Sequence, residues 1–207
     1  MSFETNTQFL RRYYRVHAKI YDATRWTFLF GRRELLREAQ RLHTPSRILE
    51  IGCGTGQNLA RLCRLFPQAE ITGVDLSEAM LAVARKHLAG QAGRVKLRSM
   101  VYEQPIYQAA PFDLILCSYS LSMMNPGFEQ ALDAARDDLA PGGLMAAVDF
   151  YDSRFAWFQA WMRLNHVRLD AHLLPKLARN FSPEFRAIRP AYGGIWSYLL
   201  FVGKRCG

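Results

Sequence analysis

The stretch RILEIGCGTGQN, Arg47 to Asn58, decides the fold. A short apolar run, 47–51, follows Pro45 and breaks at Gly52, Gly54 and Gly56. An apolar run that ends in a glycine-rich turn and leads into helix-spaced residues is the strand, turn and helix that open a βαβ unit. Glycines at that turn let the backbone approach a ligand closely. The spacing is G-x-G-x-G. The dinucleotide fingerprint wants its third glycine at position 57, where Gln57 stands.

Outward from this turn, strand-like and helix-like pieces alternate. QNLARLCRLF places Leu59, Leu62, Cys63 and Phe66 at helical spacing, and Pro67 closes it. EITGV (70–74) reads as the next strand. Ser77 is the expected N-cap of a helix over 77–90, with Gly90 as its stop. VKLRS (95–99) and FDLILCS (112–118) are strands, 128–139 a helix, and Pro141-Gly142-Gly143 turns the chain into a buried strand at 144–150. Repeated β-α units predict a parallel sheet with helices on both faces, and a ligand at the carboxyl ends of the strands where the strand order reverses. After Phe150 the pattern changes. Residues 155–181 read as continuous amphipathic helix, and 183–190 and 197–204 as two strands around AYGG.

Composition bounds the function. The 207 residues suit one domain, half are apolar, and no apolar run approaches the ~18 residues of a membrane span. The first residues, MSFETNTQFLRRYY, carry no signal-peptide pattern. Cys53, Cys63, Cys117 and Cys206 show no C-x-x-C pairing, which predicts free thiols, a reducing compartment and no metal site. Net charge is +9 and uneven: residues 1–41 hold nine Lys/Arg against four Asp/Glu, 42–150 nine against eleven, and 151–207 nine against three. Two basic ends flank a mildly acidic middle, which fits a solvated surface, an acidic substrate, an anionic membrane face or nucleic acid.

Two carboxylates sharpen the turn. Glu50 sits in the first strand. Asp75 ends the second, where a carboxylate can accept both hydroxyls of a ribose. Asp75 could instead cap the next helix, but Ser77 fills that role. Asp75 alone serves a nicotinamide cofactor equally well. A short-chain dehydrogenase needs Tyr-x-x-x-Lys, and no tyrosine has a lysine four residues on; no G-x-x-x-x-G-K-[S/T] phosphate loop occurs.

LEIGCGTG followed by GVDLS, with DLILCS and a later PGG before a strand, resembles the class I S-adenosylmethionine-dependent methyltransferases over residues 45–150. The resemblance implies a Rossmann-like α/β fold: a seven-stranded, mostly parallel sheet with helices on both faces and its last strand antiparallel. It implies S-adenosylmethionine as cofactor, S-adenosylhomocysteine as product, and no metal. It places Glu50, Gly52, Cys53, Gly54, Gly56, Asn58, Asp75, Leu76, Met80 and Ser118 at the cofactor. Many members read Gly-Asp-Ala after the third strand, the Asp reaching the adenine. Here that Asp falls on Met100, leaving backbone contacts from Val101 and Tyr102 and an acid at Glu103. Residues 1–44 correspond to a helical lid, in which Tyr21-Asp22 resembles the element whose tyrosine reaches the cofactor in quinone and lipid methyltransferases. Residues 151–207 are then a helical insertion and a C-terminal hairpin on the same single domain, 1–207. Nucleic-acid amino-methyltransferases carry an Asn/Asp-Pro-Pro-aromatic motif after the fourth strand. This chain reads SYSLSMM, so nucleic acid is not an expected partner.

YDATRWTFLFGRREL, LEIGCGTGQN, NHVRLDAHLLPKL and AYGGIWSYLLFVGK are more narrowly similar, over residues 11–205, to the bacterial diacylglyceryl-homoserine N-methyltransferases of betaine-lipid synthesis. That implies three methyl transfers onto the amine of a lipid. It also implies work in the cytoplasm at the inner, anionic face of the membrane, and the enzyme that makes diacylglyceryl-homoserine as a partner. Such a reaction uses a proton acceptor, for which His17, Tyr21, Tyr119, Asp149 and His166 are candidates, with Tyr14 a further catalytic candidate through its ring. A growing ammonium favours aromatic faces, offered by Tyr14, Tyr21, Tyr119, Tyr151 and Trp196. The homoserine carboxylate wants an arginine fork, Arg25 or Arg168. Phe155, Phe158, Trp161 and Met162, with Arg154, Arg163 and Arg168, suit an anionic interface or, equally, packing on the sheet. Phosphatidylethanolamine, a quinone or a soluble amine are alternative acceptors, and a cofactor-binding module without turnover is the non-enzyme alternative.

Overall fold

The computed structural model describes residues 28–107, 111–124, 127–164 and 167–205. In chain order the main elements are α1 (Arg32–Leu42), β1 (Arg47–Ile51), α2 (Gln57–Leu65), β2 (Glu70–Asp75), α3 (Glu78–His87), β3 (Val95–Ser99), β4 (Phe112–Ser118), α4 (Phe128–Asp138), β5 (Leu139–Asp152), α5 (Ala156–Leu164), α6 (Leu173–Asn180), β6 (Phe181–Ala191) and β7 (Trp196–Arg205). One seven-stranded sheet runs β3-β2-β1-β4-β5-β7-β6. The first five strands pair in parallel, and β7 lies antiparallel between β5 and β6.

The period of two along each strand sorts side chains to two cores. Ile48, Leu114, Leu116, Ala146 and Val148 face one core, closed by Leu35, Leu36 and Ala39 of α1, Leu59 and Leu62 of α2, and Leu81 and Ala84 of α3. Their neighbours Leu49, Ile115, Cys117, Met145 and Ala147 face the other, closed by Phe128, Ala131, Leu132 and Ala135 of α4 and Leu173 and Leu177 of α6. The Pro141-Gly142-Gly143 turn is absorbed as a slip in the β4–β5 ladder, where Phe112 pairs with Leu139 and Leu114 with Leu144. The hairpin expected after residue 182 is β6–β7, full length and antiparallel.

One expectation is corrected. The continuous helix over 155–181 is two helices, α5 and α6. Asp170 forms an antiparallel bridge with Asp152, the Ala171 N–H donates to the Tyr151 carbonyl at 2.9 Å, and Ala171 takes φ 56°. A tether to the end of β5 thus overrides helical periodicity between them. Most of the segment expected to form the lid, residues 1–27, lies outside the described residues; in its described part α1 buries Leu35, Leu36 and Ala39 against the sheet. Cys53, Cys63 and Cys117 are free and buried, and no helix among the described residues is long and apolar enough to cross a membrane.

Candidate functional site

The strand order reverses between β1 and β4: β2 and β3 lie on one side of β1, and β4 and β5 on the other. The crevice at the carboxyl ends of these strands is where an open parallel sheet holds its ligand. Glu50, the glycine turn, Asp75, Ser118 and the chain after β3 all meet there.

The turn is shaped by positive φ. Gly52, Gly54 and Gly56 have φ of 72°, 53° and 81°. At Gly52 a Cβ would sit 2.5 Å from the Ser120 Cβ, so the first glycine exists for close packing of the β1 and β4 ends. At Gly54 nothing lies within 4 Å of where a Cβ would be, so the second glycine borders open space. The Asp75 carboxylate braces this loop: Oδ2 accepts the Gly54 N–H and Oδ1 the Ser77 N–H, both at 2.8 Å. Ser77 caps α3 as expected, its hydroxyl accepting the Met80 N–H at 3.4 Å. Asp75 is therefore a brace as well as a ligand candidate, with further lone pairs on each oxygen.

Glu50 is 2% exposed. Its Oε1 accepts the Asn58 amide at 2.9 Å, while its Oε2 has no partner among the described residues. Burial pushes its pKa up to about 7 against the lowering pull of the Asn58 hydrogen bond and of the charges of Arg32 and Arg61. Burial also raises Asp75. An orphaned buried carboxylate oxygen beside an open glycine loop calls for a donor, and two carboxylates flanking the loop disfavour a pyrophosphate and favour a cationic ligand. Sequence reasoning missed Arg32, whose Nε donates to the Ser118 hydroxyl at 2.8 Å and whose charge reaches Glu50 and Tyr119. Its signal was available: Arg32 and Arg33 stand in the first turn of α1, where the helix dipole disfavours cations.

Other predicted residues are distributed as follows. Cys53 is buried and its N–H donates to the Val74 carbonyl at 3.0 Å, while Leu76 and Val101 are half-buried along the crevice strands' ends. Glu103 is exposed. Met80 is 1% exposed, so its side chain belongs to the core and not to the ligand surface. The Tyr102 side chain turns inward, donating its hydroxyl to Asp138 Oδ2 at 2.6 Å; Asp138 also accepts the Ile106 and Tyr107 N–H groups. Tyr102 is thus an anchor for the segment after β3.

Tyr119 is buried, with φ 56°, and donates its hydroxyl to the Phe30 carbonyl at 2.9 Å. Burial and the Asp149 charge raise its pKa well above that of a free tyrosine, which suits a hydrogen-bond donor. Asp149 accepts the Ser122 and Phe150 N–H groups and pins the turn after β4. Trp196, expected to face a substrate, is 1% exposed and packs on Phe150 with ring centroids 5.0 Å apart. Arg168 is held by Asp170, Nε to Oδ2 at 3.0 Å, so its expected carboxylate partner is internal. Tyr151 is half-buried at the end of β5. Tyr14, His17, Tyr21, Arg25 and His166 lie outside the described residues.

Residues 48–143 match the family model described as a methyltransferase domain. The 1,6-didemethyltoxoflavin-N1-methyltransferase of Burkholderia thailandensis, solved with 1,6-didemethyltoxoflavin and S-adenosylhomocysteine, superposes with a TM-score of 0.78 at 18% identity, covering 100% of this chain and 92% of that one. The fold is that of the class I methyltransferases. In sequence, this methyltransferase-fold chain is 34% identical over 141 residues to the trans-aconitate 2-methyltransferase of Deinococcus radiodurans, which is 67% of this chain and 46% of that protein. It is 30% identical over 152 residues to the malonyl-[acyl-carrier protein] O-methyltransferase of Priestia megaterium, 72% of this chain and 54% of that protein. The chain spans about half the length of these relatives.

Proposed function

We propose that the protein is an S-adenosylmethionine-dependent methyltransferase whose acceptor is the amine of a lipid, diacylglyceryl-homoserine. The observation that carries the cofactor half is the glycine loop with its two carboxylates. Among the described residues Glu50 Oε2 is buried without a donor and Gly54 borders open space, so the crevice fits a ligand with cationic groups and a sugar. Asp75 would hold the ribose hydroxyls, the Gly52–Gly56 backbone and Glu50 the methionine end, and Val101 the adenine. Arg32 would meet the methionine carboxylate. Bound S-adenosylmethionine supplies a methyl group activated on a sulfonium.

The chain's own part is to align, desolvate and neutralise. Tyr119 is too firmly protonated to abstract a proton; as a buried donor it fixes Phe30 and the entry to α1 over the crevice. Asp149 holds backbone in place with one N–H on each oxygen and keeps further lone pairs, and burial raises its pKa to about 6. Of the proton acceptors named from sequence, Asp149, His17, Tyr21 and His166 therefore remain for an acceptor amine, which must lose one proton at each transfer.

The lipid half is supported by the surface. Trp157, Trp161 and Leu164 are 63%, 46% and 81% exposed, beside Arg154 and Arg163. Aromatic and basic groups on one short helix suit the anionic inner face of a membrane. A second reading, methylation of a carboxylate, is favoured by the names of the two sequence relatives. One experiment separates them. The protein is incubated with S-adenosylmethionine and, in parallel, diacylglyceryl-homoserine, phosphatidylethanolamine, trans-aconitate and a malonyl thioester, with mass detection. Mono-, di- and trimethyl lipid is the expected result. A methyl ester on an acid, with the lipid untouched, overturns the amine reading.

A further inference from the structure

A second cavity, of about 390 Å³, opens beside the crevice and takes none of the glycine-loop residues. Arg32, Arg33 and Arg37 of α1 and Arg61 of α2 line it, with Leu29, Gly31, Glu34 and Tyr198, and Arg32 is shared with the crevice through Ser118. Arg33 and Arg37 are one turn apart on one helix face, an unfavourable spacing for like charges. Arg61 joins them from the neighbouring helix, and burial together with repulsion from Arg33 and Arg64 lowers its pKa. The lining carboxylate, Glu34, is already taken by Arg189 at 2.9 Å. Four guanidinium groups therefore line a space whose own acid is spent elsewhere; Arg32 also donates to Ser118 and Arg61 to Asn58, while Arg33 and Arg37 bring the charge of α1 to it. Guanidinium forks match phosphate oxygens, and an anion there would relieve a repulsion that folding alone leaves in place.

The wall of this cavity continues into the exposed aromatic surface. Phe30 stacks on Tyr198 with centroids 6.1 Å apart, Tyr192 meets Phe30 at 5.4 Å, and Phe28 links Tyr192 to Trp161 at 5.9 and 6.3 Å. Phe30 and Tyr192 are themselves 39% and 48% exposed. A basic cavity whose rim runs into exposed aromatics has the chemistry of a headgroup site at a bilayer surface.

We propose that this cavity is a phosphate-binding site and that the headgroup of an anionic phospholipid fills it. The proposal goes beyond the methyl-transfer reading, because diacylglyceryl-homoserine carries a carboxylate and no phosphate.

The test is an Arg33→Gln/Arg37→Gln double variant of the full chain. Neither residue belongs to the crevice. Binding is measured at fixed ionic strength to phosphatidylcholine vesicles with and without phosphatidylglycerol, and by calorimetry to free glycerol phosphate. A control double variant, Arg98→Gln/Arg179→Gln, removes the same charge from β3 at the sheet edge and from α6 on the opposite face. At roughly 1 kcal/mol per basic residue near an anionic surface, the first variant should bind phosphatidylglycerol vesicles about thirty-fold more weakly. The control should bind nearly as the parent does, and glycerol phosphate should compete in the parent. Equal losses in the two doubles, or none in the first, overturn the site. Tight glycerol phosphate binding without vesicle binding overturns the lipid as its source. Methyl transfer to a soluble acceptor stays at parental rate in both doubles, which separates a failure here from a failure of the catalytic reading.

Discussion

Glu50 is the residue on which the cofactor reading turns. Its carboxyl is held near pH 7 because the fold buries it faster than Asn58 and two arginines can compensate. The sign follows from proton counting. Between the unfolded pKa near 4.5 and the folded value near 7, the folded state keeps a proton that the unfolded state has lost, so stability falls as pH rises through that window. The full shift corresponds to about 3 kcal/mol. Glu50→Gln should therefore flatten the fall in stability between pH 4.5 and 7, read by urea unfolding; an unchanged slope would mean Glu50 titrates normally. A cation bound beside Glu50 pulls its pKa back down. Cofactor titrations at pH 7 in buffers of different ionisation enthalpy should thus show a fraction of a proton released, and Glu50→Gln should abolish it. The glycines divide in the same way. Gly52→Ala meets Ser120 and should destabilise the protein by more than about 2 kcal/mol. Gly54→Ala meets nothing and should cost about 1–2 kcal/mol in stability, from its left-handed backbone, while sharply weakening the cofactor.

At the level of elements, the segment after β3 is positioned by one buried acid. Asp138, at the end of α4, takes the Tyr102 hydroxyl and two backbone N–H groups. Asp138→Ala strands three donors, and should lower unfolding free energy by roughly 3 kcal/mol and weaken the cofactor through the adenine end of the crevice. A cofactor affinity equal to the parent's would show that this segment does not touch the ligand. The strands were legible because local signals carried them: VKLRS and FDLILCS have the observed bounds, 95–99 and 112–118. The break between α5 and α6 was not, since it depends on Asp152 and Asp170, 18 residues apart, and on a positive φ at an alanine that no propensity favours. The site was legible at Glu50, the glycines and Asp75, which are contiguous with the turn. Arg32 and Asp138 reach it from other elements, and only the fold brings them in. Trp196 shows the converse error: an aromatic near a basic end reads as a ligand face, while its ring is a core filler between β5 and β7.

Across the whole molecule the uneven charge acquires a location. Four arginines, three of the basic N-terminal end and one of α2, gather at one cavity, and the exposed aromatics of α5 and of the β6–β7 turn adjoin it. Trp157→Ser/Trp161→Ser should leave unfolding free energy within about 1 kcal/mol, because both rings are substantially exposed, and should reduce flotation with anionic vesicles. Retained flotation with intact fold would move the membrane contact elsewhere. The reversal of strand order fixes where the ligand sits, and the G-x-G-x-G spacing with its two carboxylates fixes its charge. The most direct measurement is calorimetric titration of the purified protein with S-adenosylhomocysteine and, separately, with NAD. The account predicts saturable one-to-one binding of the first, weakened about ten-fold or more by Asp75→Ala, and no heat from the second. Saturable NAD binding, or no binding of S-adenosylhomocysteine, would contradict it.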